Sequence, residues 1–121
     1  MKTCLVVDDS KVVRKVARRM LEEMGFQVDE AEHGKVALDY CLKTIPDLIL
    51  LDWNMPEMDG MQFFQEFIKL PEHSKAKVMF CTTENDFSKI EQAISSGADE
   101  YIMKPFDAEI LKGKLEQIGF F

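Results

Sequence analysis

An apolar run that ends at a carboxylate constrains this chain more than any other stretch. Leu48–Leu51 are uninterrupted apolar residues, they follow Pro46, and they end at Asp52. A short apolar run bounded by turn residues is typical of a parallel strand that is buried on both faces. The stretch behind it contains Pro56 and Gly60, which interrupt regular structure. The pattern therefore predicts a central strand whose terminal carboxylate lies at an accessible edge of a sheet.

Strand-like and helix-like segments alternate five times along the chain. Apolar and β-branched runs predict strands at Thr3–Val7, Phe26–Ala31, Leu48–Asp52, Lys77–Cys81 and Glu100–Met103. Each run is followed by apolar residues at helical spacing, which predict five helices. Strands that alternate with helices through short loops favour an α/β fold. We therefore expect a doubly wound, five-stranded parallel sheet with helices on both faces.

The helices carry recognisable end signals and apolar stripes. Three of them are expected to begin at the N-caps Ser10, Asp86 and Asp107. The stripes are expected to face the sheet. Among the residues assigned to these inner faces are Val16, Val36, Ile94 and Ile110.

Composition limits the location and the partners. A length of 121 residues suits one domain, spanning 1–121, and the net charge of −7 disfavours nucleic acid, because phosphate binding needs Lys and Arg. No apolar stretch is long enough to span a membrane, and the start lacks a signal-peptide core. Cys4, Cys41 and Cys81 show no metal-ligand spacing and suit buried thiols in a reducing compartment. We expect a cytoplasmic monomer that binds neither nucleic acid nor membrane.

Five polar side chains are predicted to meet at one edge of the sheet. Asp8 and Asp9 follow the first strand, Asp52 ends the third, Thr82 follows the fourth, and Lys104 follows the fifth. The carboxyl ends of parallel strands share an edge, and ligands of such folds bind there. Each residue has an ordinary alternative as a cap, a polar strand residue or a surface charge. Five on one edge favour a common site.

The residue types at this edge indicate phosphoryl chemistry. Three close carboxylates repel each other unless a cation neutralises them, and hard oxygen ligands without a thiol or a pair of His suit Mg²⁺. An Asp that attacks a phosphoryl group forms an aspartyl phosphate, whose oxygens Lys104 and Thr82 would hold. Two classes remain open from the residues alone: a phosphorylatable signalling switch, and a small Mg²⁺-dependent phosphatase with an external substrate.

Other phosphate and metal motifs fit poorly. An EF-hand loop beginning at Asp52 would have Pro56 at its fifth position and Glu57 where Gly is required. A haloacid-dehalogenase-like phosphatase would use a second Asp two residues on, where this chain has Asn54. The P-loop pattern is absent.

Four motifs resemble the receiver domains of bacterial two-component response regulators. They are VDDS at 7–10, LDWNMPEMDG at 51–60, TTE at 82–84 and YIMKPF at 101–106. The resemblance covers essentially the whole chain and extends to single-domain regulators of the chemotaxis type. It implies the strand order 2-1-3-4-5. It also implies a stand-alone switch that catalyses only its own phosphorylation and dephosphorylation, and not an enzyme with an external substrate.

The resemblance implies a role for each site residue. Asp52 would be the phosphoacceptor. Asp9 and Asp52 would bind Mg²⁺ directly, together with the main-chain carbonyl of Asn54, and Asp8 would act mainly through water. Lys104 would pair with Asp52 or its phosphate, and its bond to the following proline would be cis.

Signal output is implied in the same way. Thr82 and Tyr101 would form the switch, and Asn54 and Glu84 would set the rate of dephosphorylation. The partner surface would comprise the fourth helix, the fifth strand and the fifth helix, with Ile90, Tyr101 and Lys114. The implied partners are a sensor histidine kinase as phosphodonor, a phosphatase, and a flagellar motor switch protein or another protein target. A phosphorelay shuttle or a phosphate sink is the alternative. His33 lies outside every motif and is expected on the surface.

Overall fold

Five strands and five helices alternate through the part of the chain that the computed structural model describes, residues 2–83 and 87–121. The strands are β1 (Thr3–Val7), β2 (Gln27–Ala31), β3 (Leu48–Asp52), β4 (Lys77–Thr82) and β5 (Glu100–Met103). The helices are α1 (Lys11–Glu23), α2 (Gly34–Lys43), α3 (Gly60–Phe67), α4 (Phe87–Ser95) and α5 (Ala108–Gln117). A 3₁₀ turn at His73–Lys75 precedes β4.

All strand pairings are parallel, and the order is β2-β1-β3-β4-β5. This confirms the doubly wound fold and the strand order that the resemblance implied. β3 lies at the centre, between β1 and β4, and all five of its residues are buried. Its alternate side chains enter two separate cores, with Leu48 and Leu50 on one face and Ile49 and Leu51 on the other. The apolar run is continuous because both faces of this strand are covered.

Two helices cover one face of the sheet, and three cover the other. Buried residues of α1 and α5, including Leu21 and Leu115, pack with Leu50. Buried residues of α2, α3 and α4, including Phe64, pack with Leu51. Each large buried side chain contributes roughly 1.5–3 kcal/mol relative to exposure. Both layers therefore hold β3, and with it Asp52, in a fixed position.

Two of the three predicted N-caps are confirmed. Ser10 caps α1, where its Oγ accepts the amide of Val13 at 3.3 Å, and Asp107 caps α5. The expected cap Asp86 lies outside the described residues. α3 has a capping box that the sequence reasoning missed, in which Asp59 and Gln62 each accept the other's main-chain N–H.

Four residues assigned to inner helix faces are instead exposed. Their exposed fractions are 50% for Val16, 38% for Val36, 44% for Ile94 and 49% for Ile110. Each of them is adjacent in sequence to a buried helix residue, namely Ala17, Ala37, Ala93 and Leu111. Successive helix residues point about 100° apart, so the buried stripe is narrower than the apolar stripe of the sequence. Among the described residues, no helix has the length and apolar content needed to cross a bilayer.

Candidate functional site

Three carboxylates converge at the carboxyl edge of the central strands. Asp8 and Asp9 follow β1, Asp52 ends β3, and one ligand oxygen from each lies within 4.8 Å of the others. Asp8 and Asp52 are buried, with 3% and 7% of their surface exposed, whereas Asp9 is exposed. Buried carboxylates normally require a cation or several hydrogen-bond donors. The fold therefore brings together the acidic residues that the sequence placed on one edge.

Lys104 brings an ammonium group into this cluster. Its Nζ lies 2.7 Å from Asp8 Oδ2 and 3.2 Å from Asp52 Oδ1, and the side chain is only 16% exposed. The sequence reasoning paired Lys104 with Asp52, but the shorter contact is to Asp8. The Lys104 amide donates to the carbonyl of Thr82 at 2.8 Å, and the bond to the following proline is cis. We call Asp8, Asp9, Asp52 and Lys104 the acidic site.

Every polar atom of Asp8 forms a hydrogen bond with another protein group. Its amide donates to the carbonyl of Ala31 at 3.1 Å, and its carbonyl accepts from Arg14 Nη1 at 2.7 Å. Its carboxylate accepts the Ser10 amide through Oδ1 and the Lys104 ammonium through Oδ2. Because both carboxylate oxygens are engaged by protein donors, Asp8 suits an indirect role at a metal, while Asp9 and Asp52 are the better direct ligands.

Burial and crowding alter the acid–base properties of the site. Burial raises the pKa of the Asp52 carboxyl to about 6; Lys104 opposes the rise, and the charges of Asp8 and Asp9 add to it. Burial also lowers the pKa of the Lys104 ammonium, but the Asp8 hydrogen bond and the nearby Cys81 and Asp52 outweigh it, so this pKa lies above its usual value. Three carboxyl groups thus face one ammonium. Such an excess of negative charge fits a hard divalent cation.

The loop behind Asp52 folds back against the strand. The Gly60 amide donates to the carbonyl of Trp53 at 2.8 Å, and a Cβ at Gly60 would collide with the main-chain carbonyl of Asp52. Only glycine fits this approach. Glu57 adopts a left-handed conformation, with φ of 65°, which is uncommon outside glycine. Asn54 lies in this loop and is exposed. Its carbonyl ligand role stays a prediction.

The turn between β2 and α2 contacts the loop behind Asp52. The Gly34 amide donates to the carbonyl of Met58 at 3.1 Å, and a Cβ at Gly34 would lie 2.6 Å from that oxygen. His33 Nε2 is 3.5 Å from Glu57 Oε2, and the His33 side chain is only 17% exposed. His33 is therefore half-buried and contacts the loop behind Asp52, which the sequence did not predict. A single His outside every motif gives no sequence signal for such a contact.

The residues assigned to switching and output are only partly in contact. Thr82 is buried at the end of β4, and Tyr101 is half-buried on β5. Lys114 Nζ lies 4.5 Å from the centre of the Tyr101 ring and 3.4 Å from Glu100 Oε1. Ile90 is half-buried on α4. Glu84, which was assigned to dephosphorylation, lies outside the described residues.

A second charged group, missed by the sequence reasoning, lies beside the acidic site. Glu30 of β2 accepts from Arg14 Nε at 3.1 Å, Lys15 Nζ at 2.8 Å and Arg18 Nη1 at 2.8 Å, and its side chain is 12% exposed. Burial raises the pKa of the Glu30 carboxyl, but hydrogen bonds from Lys15, Arg18 and Arg14 outweigh it and lower that pKa to about 2. We call these four residues the Glu30 cluster.

Comparison with known proteins gives consistent matches. A family model described as "Response regulator receiver domain" matches residues 4–116. A "Chemotaxis protein CheY homolog" of Campylobacter jejuni is 36% identical over 116 residues, covering 94% of this chain and 89% of that protein. "Chemotaxis protein CheY1" of Helicobacter pylori is 34% identical and covers 94% of each chain. The structure of Vibrio cholerae chemotaxis protein CheY4 superposes with a TM-score of 0.91, at 30% identity and 98% coverage of both chains.

Proposed function

The chain belongs to the response regulator receiver family, and we propose that it is a chemotaxis regulator that accepts a phosphoryl group on Asp52 and then binds a protein partner. The observation behind this proposal is the position of Asp52. It ends the buried central strand, 3.2 Å from the Lys104 ammonium and beside two further carboxylates. Rigid placement of a nucleophile among charged groups is what phosphoryl transfer requires, because its catalysis is mostly positioning and charge neutralisation.

Each residue of the acidic site has a distinct role in the phosphoryl transfer. An Asp52 carboxylate oxygen forms the new bond to phosphorus as the bond from phosphorus to the donor's histidine nitrogen breaks, and that nitrogen keeps the electron pair. Lys104 and the hydroxyl of Thr82 bind the phosphoryl oxygens. Asp9, Asp52 and the carbonyl of Asn54 would hold Mg²⁺, and Asp8 would contribute indirectly. When bound, Mg²⁺ neutralises the carboxylates and the phosphoryl oxygens.

Phosphorylation then shifts the protein between two packings. Contacts of Thr82 with the phosphate exist only in the phosphorylated state, so they bias the equilibrium. Tyr101 follows the movement of Thr82, and the surface around Ile90 and Lys114 changes with it. The phosphodonor is a sensor histidine kinase, and the target is a flagellar motor switch protein or another protein. The protein acts in the cytoplasm, and residues 1–121 form one receiver domain. Asn54 and Glu84 set how long the phosphoryl group persists.

Labelling by a small acyl phosphate with Mg²⁺ tests the phosphoacceptor. Wild-type protein should gain one phosphoryl group per chain, measured by intact mass, and Asp52→Asn should gain none. Asp39→Asn is the control, because Asp39 is an exposed carboxylate that pairs only with Lys35 among the described residues. Labelling of Asp52→Asn at the wild-type level would refute the assignment. Rapid multiple turnover of phosphomonoesters would favour a phosphatase instead.

Trp53 provides a test of the metal site. It is the only tryptophan of the chain, it is buried next to Asp52, and its ring lies 5.0 Å from that of Phe80. We expect Mg²⁺ to change its fluorescence with a saturable dependence. A flat titration through millimolar Mg²⁺ would contradict the proposed cation site.

A pull-down of wild type and Asp52→Asn, with and without a phosphate mimic, would separate a motor target from a phosphorelay shuttle or a phosphate sink.

A further inference from the structure

Arg14 connects the acidic site to the Glu30 cluster. Its Nη1 donates to the main-chain carbonyl of Asp8 at 2.7 Å, while its Nε donates to Glu30 Oε1 at 3.1 Å. The Arg14 side chain is only 14% exposed. A guanidinium presents several donors in a rigid plane, so one group serves both acceptors at once, whereas a lysine ammonium is a single point of charge on a flexible stem.

The carbonyl that Arg14 holds belongs to a peptide group shared by two acidic residues. The Asp8 carbonyl and the Asp9 amide lie in one planar unit, so fixing the carbonyl also fixes the direction in which the Asp9 main chain leaves it. Asp9 itself is exposed and follows directly after the strand. Its orientation therefore depends on how firmly the preceding peptide is held.

The strand β2 anchors Asp8 at both ends of its main chain. The Ala31 carbonyl accepts the Asp8 amide at 3.1 Å, and Glu30, the residue before Ala31, holds Asp8 through Arg14. Glu30 is itself held by Lys15 and by Arg18. Arg14 thus links Glu30, which has three cationic partners, to the turn that follows β1.

We propose that Arg14 is a positioning residue of the acidic site, which orients the peptide between Asp8 and Asp9 so that the Asp9 carboxylate faces a divalent cation. The proposal rests on the proposed Mg²⁺ role of that site. It does not require Arg14 to touch the cation or the phosphoryl group. Partners that orient metal ligands from outside the coordination sphere typically change metal affinity by about 10–100-fold when they are removed.

The sign of the effect separates positioning from simple electrostatics. Arg14 is a cation that is hydrogen-bonded to the main chain of Asp8, so removing its charge alone would strengthen the binding of another cation at the acidic site. Loss of positioning would weaken it. Lys15 offers a matched control, because its ammonium pairs with the same Glu30, whereas the Asp8 carbonyl accepts its hydrogen bond from Arg14. Lys15→Met removes a charge from the Glu30 cluster and leaves the hydrogen bond to Asp8 in place.

Mg²⁺ titration followed by Trp53 fluorescence tests the proposal. Arg14→Met should bind Mg²⁺ about tenfold more weakly than wild type. Lys15→Met should bind it as tightly as wild type or slightly more tightly. Arg14→Lys keeps the charge but not the planar fork, so it should remain weakened. Equal or tighter binding by Arg14→Met, or equal weakening by Lys15→Met, would overturn the proposal.

A second measurement needs no metal. The chemical shift of the Asp9 amide reports the hydrogen bond to the Asp8 carbonyl in the same peptide group. In metal-free protein, Arg14→Met and Arg14→Lys should both move the Asp9 amide resonance, and Lys15→Met should leave it in place. An unmoved Asp9 resonance in both Arg14 variants would reject the positioning role even if Mg²⁺ binds normally. If wild type failed to bind Mg²⁺, the proposed cation site would fail, while a shifted Asp9 resonance would still support the role of Arg14.

Discussion

The acidic site and the Glu30 cluster are neighbouring groups with opposite proportions of acidic and basic side chains. The acidic site combines three carboxylates with the ammonium of Lys104. The Glu30 cluster combines one carboxylate with the cations of Arg14, Lys15 and Arg18. Both lie near the carboxyl ends of strands, and the central carboxylate of each, Asp52 or Glu30, is largely shielded from solvent. They differ in whether the charge of the buried carboxylate is satisfied.

The pKa values of the two central carboxyls express this difference. That of Asp52 rises to about 6, because burial outweighs the help of Lys104. That of Glu30 falls to about 2, because three hydrogen-bonding cations outweigh burial. A fully paired carboxylate stabilises the fold, whereas an underpaired one keeps its charge available for a ligand. Carboxylates of the same chemical type are therefore fully paired in one cluster and underpaired in the other.

Removal of Lys104 should have the largest effect on stability. Lys104→Met leaves the buried Asp8 and Asp52 without their shared ammonium, and breaking a buried pair in this way typically costs about 3–5 kcal/mol. We expect this loss in the free energy of unfolding, measured with urea at pH 7 and with a chelator present. The loss should shrink at lower pH, because protonation of Asp52, whose pKa burial raises, removes one of the unpaired charges.

Lys114 provides a matched control for the stability loss expected of Lys104→Met. Lys114 also pairs with a carboxylate, Glu100 at 3.4 Å, but its side chain is 26% exposed and the contact is longer. Lys114→Met should cost at most about 1 kcal/mol, as surface pairs do. If Lys104→Met were no more costly than Lys114→Met, the ammonium would not be what holds the acidic site together.

Asp52→Asn should act in the opposite direction and stabilise the metal-free protein. Burial raises the pKa of Asp52 from 3.8 to about 6, so the folded state holds a proton more tightly than the unfolded state. The wild type therefore loses stability as the pH rises from about 4 to about 6, and the variant does not. With about 1.4 kcal/mol per pKa unit and some loss of the Lys104 contact, we expect a gain of about 2 kcal/mol at pH 7.

The measurement is a pair of urea unfolding curves at pH 7 and pH 4 in the presence of a chelator. The gain should be present at pH 7 and largely absent at pH 4. Added Mg²⁺ should stabilise wild type and reduce the difference, since a ligand that binds only the folded state stabilises it. A destabilised Asp52→Asn would mean that Lys104 satisfies Asp52 more completely than the charge ratio implies.

Sequence patterns located the acidic site but not the Glu30 cluster. Asp8 and Lys104 follow apolar strands and Asp52 ends one, and the topology of a parallel sheet is enough to bring strand ends together. The contact of Arg14 with Glu30 depends on how α1 crosses back to β2, a detail of packing that periodicity does not contain. Periodicity also overestimated the buried helix faces, as Val16 shows. The roles of the site residues remain predictions.

Glu30→Gln should destabilise the protein moderately. The substitution leaves three cations around a neutral amide, and we expect a loss of about 1–2 kcal/mol at pH 7, because solvent screens the partly exposed Lys15 and Arg18. The pKa of Glu30 is lowered from 4.5 to about 2, so its stabilising contribution is complete above about 4.5 and disappears as the pH falls toward 2. The difference between wild type and variant should close over that range in urea unfolding. A gap that stayed constant with pH would show that packing of Glu30, and not its charge, is what stabilises the fold.

Lys15→Met should have the smallest effect on stability. Glu30 has three cationic partners, whereas Asp8 and Asp52 share the single ammonium of Lys104. Glu30 keeps Arg14 and Arg18 when Lys15 is removed, and the Lys15 side chain is 55% exposed. An exposed pair of this kind contributes about 0.2–1 kcal/mol and is screened by salt. We expect urea unfolding to show a loss in that range at low ionic strength, and no loss in 1 M salt. A loss as large as that of Glu30→Gln would mean that Lys15 alone keeps Glu30 ionised. The two clusters would then depend equally on a single lysine, and the contrast between them would reduce to the sign of their charge.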